Sequence, residues 1–118
     1  MASTTITNAL TQQCIRMLHL AGVEAWRQNN GGVYDPKIKR FRKNSSTPGI
    51  SDVIGFHRAT GRFVACEVKV GKDKLSEEQL AFLRRVKAGN GITMVVRTVD
   101  DAAAIPDFIK KCLEERRT

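Results

Sequence analysis

Two short segments hold the side chains most able to do chemistry. One is Pro48-Gly49-Ile50-Ser51-Asp52 and the other is Cys66-Glu67-Val68-Lys69. Glu67 and Lys69 are separated by a single residue, so in an extended strand both side chains leave the same face. Val64, Cys66, Val68 and Val70 then form the opposite face, which is apolar. Carboxylates from Asp52 and Glu67, converging with the backbone carbonyl of Val68, would make an oxygen-rich pocket for a hard divalent cation. Magnesium suits such a site, and manganese could substitute. The ion would keep several waters and favour the hydroxide form of one of them, a nucleophile for phosphodiester hydrolysis. Lys69 would orient that water or neutralise charge developing on the phosphorane, tasks suited to a compact cation with movable donors. A Glu-x-Lys pair alone is commonly a solvent-facing ion pair, so the elements that carry it decide which reading applies.

Periodicity supplies those elements. Ile6, Leu10, Cys14, Met17, Leu18 and Leu20–Ala21 recur at three- and four-residue steps, which predicts a helix over residues 6–21 behind a frayed start. Gly22 fits the position that ends it. Val23–Gln28 reads as a short strand, Asn29–Gly32 as a turn, and Val33-Tyr34 as the beginning of a further strand. Ile50–Phe56 and Arg62–Val70 flank a turn at His57–Gly61, which predicts an antiparallel hairpin that brings Asp52 within reach of Glu67 and Lys69. Ser76-Glu77-Glu78-Gln79 is a capping-box signature that opens a helix through Ala88, with Leu80, Leu83 and Val86 along one side. Ile92–Arg97 is β-branched and apolar, hence a buried strand. Asp100 and Asp101 are expected to cap a last helical region, with Pro106 starting or kinking its second part. The order α-β-β-β-β-α-β-α indicates an α/β or α+β domain with a central mixed sheet.

Composition narrows the partners. The chain has 118 residues, the size of one domain, with neither a linker nor an internal repeat. Twenty Lys and Arg against twelve Asp and Glu give a net charge of +8, which favours a polyanionic partner such as nucleic acid. The densest positive segment is residues 37–43, with five basic residues in seven. Lys37, Lys39, Arg40, Arg42 and Lys43, together with Arg27, are the candidates for phosphate contacts. No apolar run reaches the ~20 residues of a membrane span and no signal-peptide pattern opens the sequence, which argues against a membrane protein and against secretion. Cys14, Cys66 and Cys112 are odd in number and widely spaced, so they read as small core residues in a reducing, cytosolic setting. Trp26 is assigned to the core or an interface. His19 and His57 lack ligand partners at helical spacing, and Ser51 lacks a His–Asp set, so neither a zinc site nor a serine hydrolase is supported.

Taken together, these segments resemble the VRR-NUC group of the PD-(D/E)xK nuclease superfamily, in its standalone, often phage-encoded form. The resemblance rests on Gly22-Val23-Glu24-Ala25-Trp26-Arg27, Pro48-Gly49-Ile50-Ser51-Asp52-Val53-Ile54-Gly55, Gly61-Arg62-Phe63-Val64-Ala65-Cys66-Glu67-Val68-Lys69 and Leu75-Ser76-Glu77-Glu78-Gln79-Leu80-Ala81-Phe82-Leu83, followed by Ala88-Gly89-Asn90-Gly91. It covers most of residues 6–103. It implies one nuclease domain over 1–118, of the α/β class, with a restriction-endonuclease-like αβββαβ core whose central mixed sheet is flanked by helices. It also implies metal-dependent endonuclease activity on DNA, with Asp52, Glu67 and Lys69 as the core motif. Gln79 matches a glutamine that relatives carry on the following helix, facing the active site. Many relatives place a glutamate near the start of the first helix; the stretch Thr5–Thr11 here has no acid, and Glu24 is not at that place. By the same resemblance the expected molecule is a homodimer acting on branched DNA, such as four-way junctions or flaps, in the cytoplasm of a bacterial host. No base-reading motif is visible, so recognition is expected through backbone and shape.

Two rivals share the charge but not the chemistry. A catalytically silent nucleic-acid-binding module would not need Asp52, Glu67 and Lys69 to converge. A structural or regulatory protein would direct its basic surface at an acidic protein instead.

Overall fold

The computed structural model describes residues 2–28, 32–35, 37, 40–43 and 47–115. The first element is helix α1 (Ala2–Leu20). Leu10, Cys14 and Leu18, spaced by four, are its buried row, joined by Thr11. The Thr11 hydroxyl is satisfied by donating to the Thr7 carbonyl at 2.7 Å. The helix begins four residues before the expected start at Ile6. Ile6 and Leu20, both expected on the buried stripe, are 56% and 77% exposed. Leu20 lies two residues off the row, and Ile6 borders an open groove with Ala9, Arg16, Arg97 and Val99. Gly22 ends the turn at φ +85°, in the left-handed region where a side chain would be strained.

Four strands form the main sheet: β1 (Val23–Arg27), β4 (Val53–His57), β5 (Phe63–Val68) and β6 (Ile92–Val96), in the order β1-β4-β5-β6. β1–β4 and β4–β5 are antiparallel, whereas β5–β6 is parallel, so the sheet is mixed as expected. Helix α2 (Glu77–Ala88) is the crossover between the two parallel strands. Its Ser76 cap receives the Gln79 N–H, and the Gln79 side chain returns to the Ser76 N–H, completing the expected box. β2 (Gly32–Asp35) and β3 (Arg40–Lys43) pair with each other in a separate antiparallel hairpin, with Tyr34 opposite Phe41. The sequence suggests a strand only at Val33-Tyr34; Arg40-Phe41-Arg42-Lys43 has no apolar alternation to announce the second one.

Helices α3 (Val99–Ala103) and α4 (Ile105–Glu114) close the chain. Thr98, not Asp100 or Asp101, caps α3: its hydroxyl accepts from the Asp101 N–H, and Asp101 serves as the third residue of a second capping box. Pro106 sits in the first turn of α4, where its missing N–H costs nothing. With the β2–β3 hairpin taken as an insertion, the remaining order begins αβββαβ, the restriction-endonuclease-like core. α1, α3 and α4 bury one sheet face through Leu10, Leu18, Val53, Cys66, Val96, Ile105 and Ile109. On the other face α2 builds a smaller cluster from Ala65, Phe82 and Leu83, with Ile50, Leu75, Val86 and Val95 packed around it. All three cysteines are free thiols, with Cys14 and Cys66 fully buried in the larger core. Trp26 is 45% exposed, so it belongs to neither core. Among the described residues no helix is long and apolar enough to cross a membrane.

Candidate active site

The hairpin register decides where the acids meet. Val53 pairs with Cys66, so the next position outward sets Asp52 opposite Glu67. Cross-strand partners share a face, and that face is the one under α2, because Cys66 and Val68 already occupy the α1 side. Asp52 lies just before β4 but stays on the ladder: its carbonyl accepts from the Gln28 N–H at 2.7 Å, and its Oδ2 accepts from the Val68 N–H at 3.0 Å. The Lys69 N–H turns the other way and donates to the Val96 carbonyl at 3.0 Å. In a strand the N–H and C=O of one residue point to the same side, so the Val68 carbonyl faces the Asp52 side. The two carboxylates and this carbonyl, the oxygens that the spacing suggests, therefore belong to one corner of the fold.

Gly49 helps to hold Asp52 there. It has φ +74°, and an added Cβ would run into the backbone of Glu78 and Gln79 at the start of α2. Only glycine lets the Thr47–Ile50 turn lie flat against that helix. The same helix turn delivers Gln79, whose Nε2 donates to Glu67 Oε1 at 3.5 Å while its Oε1 accepts from the Ser76 N–H at 2.8 Å. Gln79 thus does both things open to it: it closes the capping box and touches the buried acid.

Glu67 is fully buried, and among the described residues its Oε2 has no hydrogen-bond partner. An ionised carboxylate in that position is costly. Burial first, and then the Asp52 carboxylate beside it, push its acid up to about 8, while the Ser51 hydroxyl, nearby but short of a formed hydrogen bond, and the Lys69 ammonium pull the other way. Lys69 leaves the strand on the Glu67 side and is half-buried. A donor set with one unspent, desolvated oxygen and a second carboxylate next to it fits a hard cation, which would supply the missing positive charge. Among the described residues no group of three His, Cys, Asp or Glu side chains gathers to hold a metal. The groups that could hold such an ion are Asp52, Glu67 and the Val68 carbonyl, and the first turn of α1 adds no acid.

The phosphate-contact candidates divide. Arg27 follows Val23 and Ala25 onto the α1 side of β1 and donates to Asn8 Oδ1 at 2.8 Å, on the sheet face opposite Glu67. Lys37 is exposed. Arg40, Arg42 and Lys43 lie on β3, but their side chains, and the whole of Lys39, fall outside the described residues. One site residue carries no sequence signal of its own: Ser51 is fully buried beside Asp52, and among the described residues its Oγ has no hydrogen-bond partner. Its place between Gly49 and Asp52 is the only hint, because burial depends on how the turn packs.

With this geometry in place, the comparisons can be read. The protein-family model for the VRR-NUC domain matches residues 8–101. Neither the curated proteins nor the solved structures compared with the chain gave a match.

Proposed function

The chain belongs to the VRR-NUC domain family, a nuclease group of the PD-(D/E)xK superfamily, and on that footing we propose that it is a magnesium-dependent DNA endonuclease, with manganese able to substitute. One observation carries the reading: a fully buried Glu67 with an unpartnered Oε2 stands across the ladder from Asp52. Nothing in the core needs an acid there, and burying one costs stability. The arrangement makes sense as a site kept ready for positive charge.

The reaction is hydrolysis of a phosphodiester. A water oxygen bonds to phosphorus, one P–O ester bond breaks, and the departing oxygen takes up a proton, leaving a phosphomonoester and a hydroxyl. Asp52, Glu67 and the Val68 carbonyl would hold the ion, which when bound would supply Lewis acidity. The protein's own groups do the rest. The Val68 N–H fixes one oxygen of Asp52. The Gln79 amide donates to Oε1 of Glu67, which leaves Oε2 as the oxygen without a partner among the described residues. Lys69 presents its ammonium to the charge that accumulates on the phosphoryl oxygens, where a preorganised cation is worth most.

The substrate we propose is branched DNA, four-way junctions or flaps, recognised by backbone and shape. The proposed working form is a homodimer, which would set one site on each of two strands. Lys37, Lys39, Arg40, Arg42 and Lys43 form the proposed phosphate-contacting segment; Arg27 would contact DNA only where it passes the α1 side. A cleavage panel of linear duplex, flap and four-way DNA, with magnesium, manganese or EDTA, tests the whole reading, and sedimentation of the free protein tests the dimer. We expect cutting with either metal, none in EDTA, and none by Glu67→Ala or Lys69→Ala variants that still bind DNA. Equal cutting by wild type and both variants would refute it.

A further inference from the structure

The sheet face that carries Glu67 continues beyond the acidic pocket. Outward from Asp52 along β4, the same alternation presents Ile54 and then Phe56. Across the ladder, Trp26 stands opposite Ile54, and Phe63 stands opposite Phe56. α2 covers β5 and β6 through Ala65, Phe82, Leu83 and Val95, and leaves this part of the face open. Trp26, Phe56 and Phe63 are 45%, 36% and 39% exposed, around an Ile54 that is only 8% exposed. Trp26 and Phe56 meet edge to face, with ring centroids 6.5 Å apart and planes at 68°.

We propose that this aromatic strip is a nucleobase-stacking subsite, taking unpaired bases of the DNA strand next to the phosphate that is cut. The inference rests on the nuclease reading and narrows its substrate to DNA that offers unpaired bases beside the cleavage point. Continuity with the acidic pocket is the first argument. The Gln28 N–H bond to the Asp52 carbonyl carries the β1–β4 ladder as far as Asp52. Trp26 is then one strand over and two residues along, about 8 Å by ordinary strand spacings. That distance is two or three stacked nucleotide steps at ~3.4 Å each.

Size is the second argument. Aromatic side chains bury 150–250 Å² each, so at these exposures the strip offers roughly 200–300 Å². A stable protein interface needs about 800 Å² per partner, whereas one or two bases fit. Charge is the third argument. The strip itself bears no cation, and Glu24, opposite Phe56, closes its far end with the sign of a phosphate. Such a surface suits base planes, with the phosphates left to Lys69 and the acidic pocket. Every base has a π-face, so stacking there would not depend on sequence.

Trp26 is the chain's single tryptophan, so its emission reports directly on the strip. The experiment titrates the whole protein, in EDTA, with single-stranded oligothymidylate and with a matched duplex. Tryptophan fluorescence and the anisotropy of labelled DNA are followed together. We expect the single strand to quench Trp26. We also expect Trp26→Ala to weaken single-strand binding roughly tenfold, with little change for duplex, and Trp26→Phe to keep most of the affinity. An oligonucleotide of abasic residues should bind wild type no better than ordinary oligothymidylate binds Trp26→Ala, a comparison that does not need the alanine variant to be fully stable. Single-strand binding without quenching, or equal binding by Trp26→Ala, would overturn the subsite. So would a dimer that falls to monomer in Trp26→Ala, because the strip would then belong to a second copy. Absence of DNA binding here and of cutting in the magnesium panel would refute the nuclease reading itself, whereas cutting with magnesium and an unquenched Trp26 in this titration would refute the subsite alone.

Discussion

Neighbouring residues of β5 live in two different worlds. Cys66 and Glu67 are both fully buried, on opposite faces of one strand. Cys66 sits in the large apolar core, and its contact with Cys14, together with burial, pushes its thiol far above the ordinary cysteine range, so it stays protonated and inert. Glu67 faces α2 with an unpartnered oxygen and a second carboxylate alongside. Equal burial therefore means opposite things. On the α1 face, exclusion of water is the source of stability; on the α2 face it stabilises the cluster of Ala65, Phe82 and Leu83 but is a cost at Glu67. Under the proposed function the sheet would separate the work of holding the fold from the work of chemistry, and its period of two would let a single strand serve both.

If that division is right, substitutions on the two faces should fail in different ways. The largest effect is expected at Lys69→Ala and Glu67→Gln, which should cut DNA more than ~10³-fold slower than wild type, the scale of losing a main electrostatic group. Their melting temperatures should not fall, and Glu67→Gln should melt no lower than wild type near neutral pH, since it removes a buried acid. Parallel cleavage and thermal-melting assays check both halves, and a variant that lost stability and cutting together would blur the division. The converse substitution is Leu18→Ala, in the fully buried row of α1. It should cost about 2–5 kcal/mol of stability through the cavity it leaves, measured by urea unfolding, while the rate per folded molecule stays near wild type at low temperature.

Gly49→Ala tests the seam between the two faces. The new Cβ would meet the Glu78 backbone and would hold an L-residue at φ +74°. A strained backbone of this kind costs about 1–3 kcal/mol. Because the turn also sets Asp52, we expect a modest loss of stability together with a larger loss of cutting, read from the same two assays.

The parts that were legible in advance are those fixed by local pattern. The alternation of Phe63–Val68 and the length of the His57–Gly61 turn suffice to set Asp52 against Glu67. Ser76 and Gln79 announce α2 by their own chemistry. What stayed hidden depends on tertiary cover. The strand Arg40–Lys43 has no apolar alternation, so its positive charge masked its shape. Thr98 outcompeted Asp100 as a cap because the capping box needs its acid three residues on, where Asp101 stands. That Trp26 lies outside both cores is not legible in the sequence, because strand parity gives the face and not whether a helix lies over it. Burial of Ser51 and the orphaned Glu67 oxygen follow from the docking of α2, which no spacing in the sequence expresses.

The raised pKa of Glu67 gives a smaller, signed effect. In the unfolded chain this acid titrates near its ordinary 4.5, and in the folded protein near 8. Between those values the folded state holds a proton that the unfolded state releases. Its contribution to stability is complete below about pH 4.5 and is lost as pH rises through about 8. In EDTA, melting temperature should therefore decline across this window in wild type and decline less in Glu67→Gln. Magnesium should raise wild-type stability more at the alkaline end, because a coordinating carboxylate must be ionised. A wild-type profile no steeper than that of Glu67→Gln would show that the acid is not desolvated as the fold implies.

The finest test separates the two jobs of Gln79. Glutamate also completes a capping box from the same position, so Gln79→Glu should keep α2 stable to within about 0.5 kcal/mol. The change replaces the amide donor to Glu67 Oε1 with a third carboxylate, which should raise the magnesium concentration needed for half-maximal cutting, or lower the rate at saturation, without moving the melting temperature in EDTA by much. Ser76→Ala does the reverse: it removes the hydroxyl cap, worth about 1 kcal/mol, and leaves the amide at Glu67. Should Gln79→Glu lose stability while cutting normally, the glutamine would be a cap alone, and the α2 face would be less devoted to chemistry than its buried acid suggests. A magnesium titration and a melting curve on each variant decide the matter, because the two roles move different readouts.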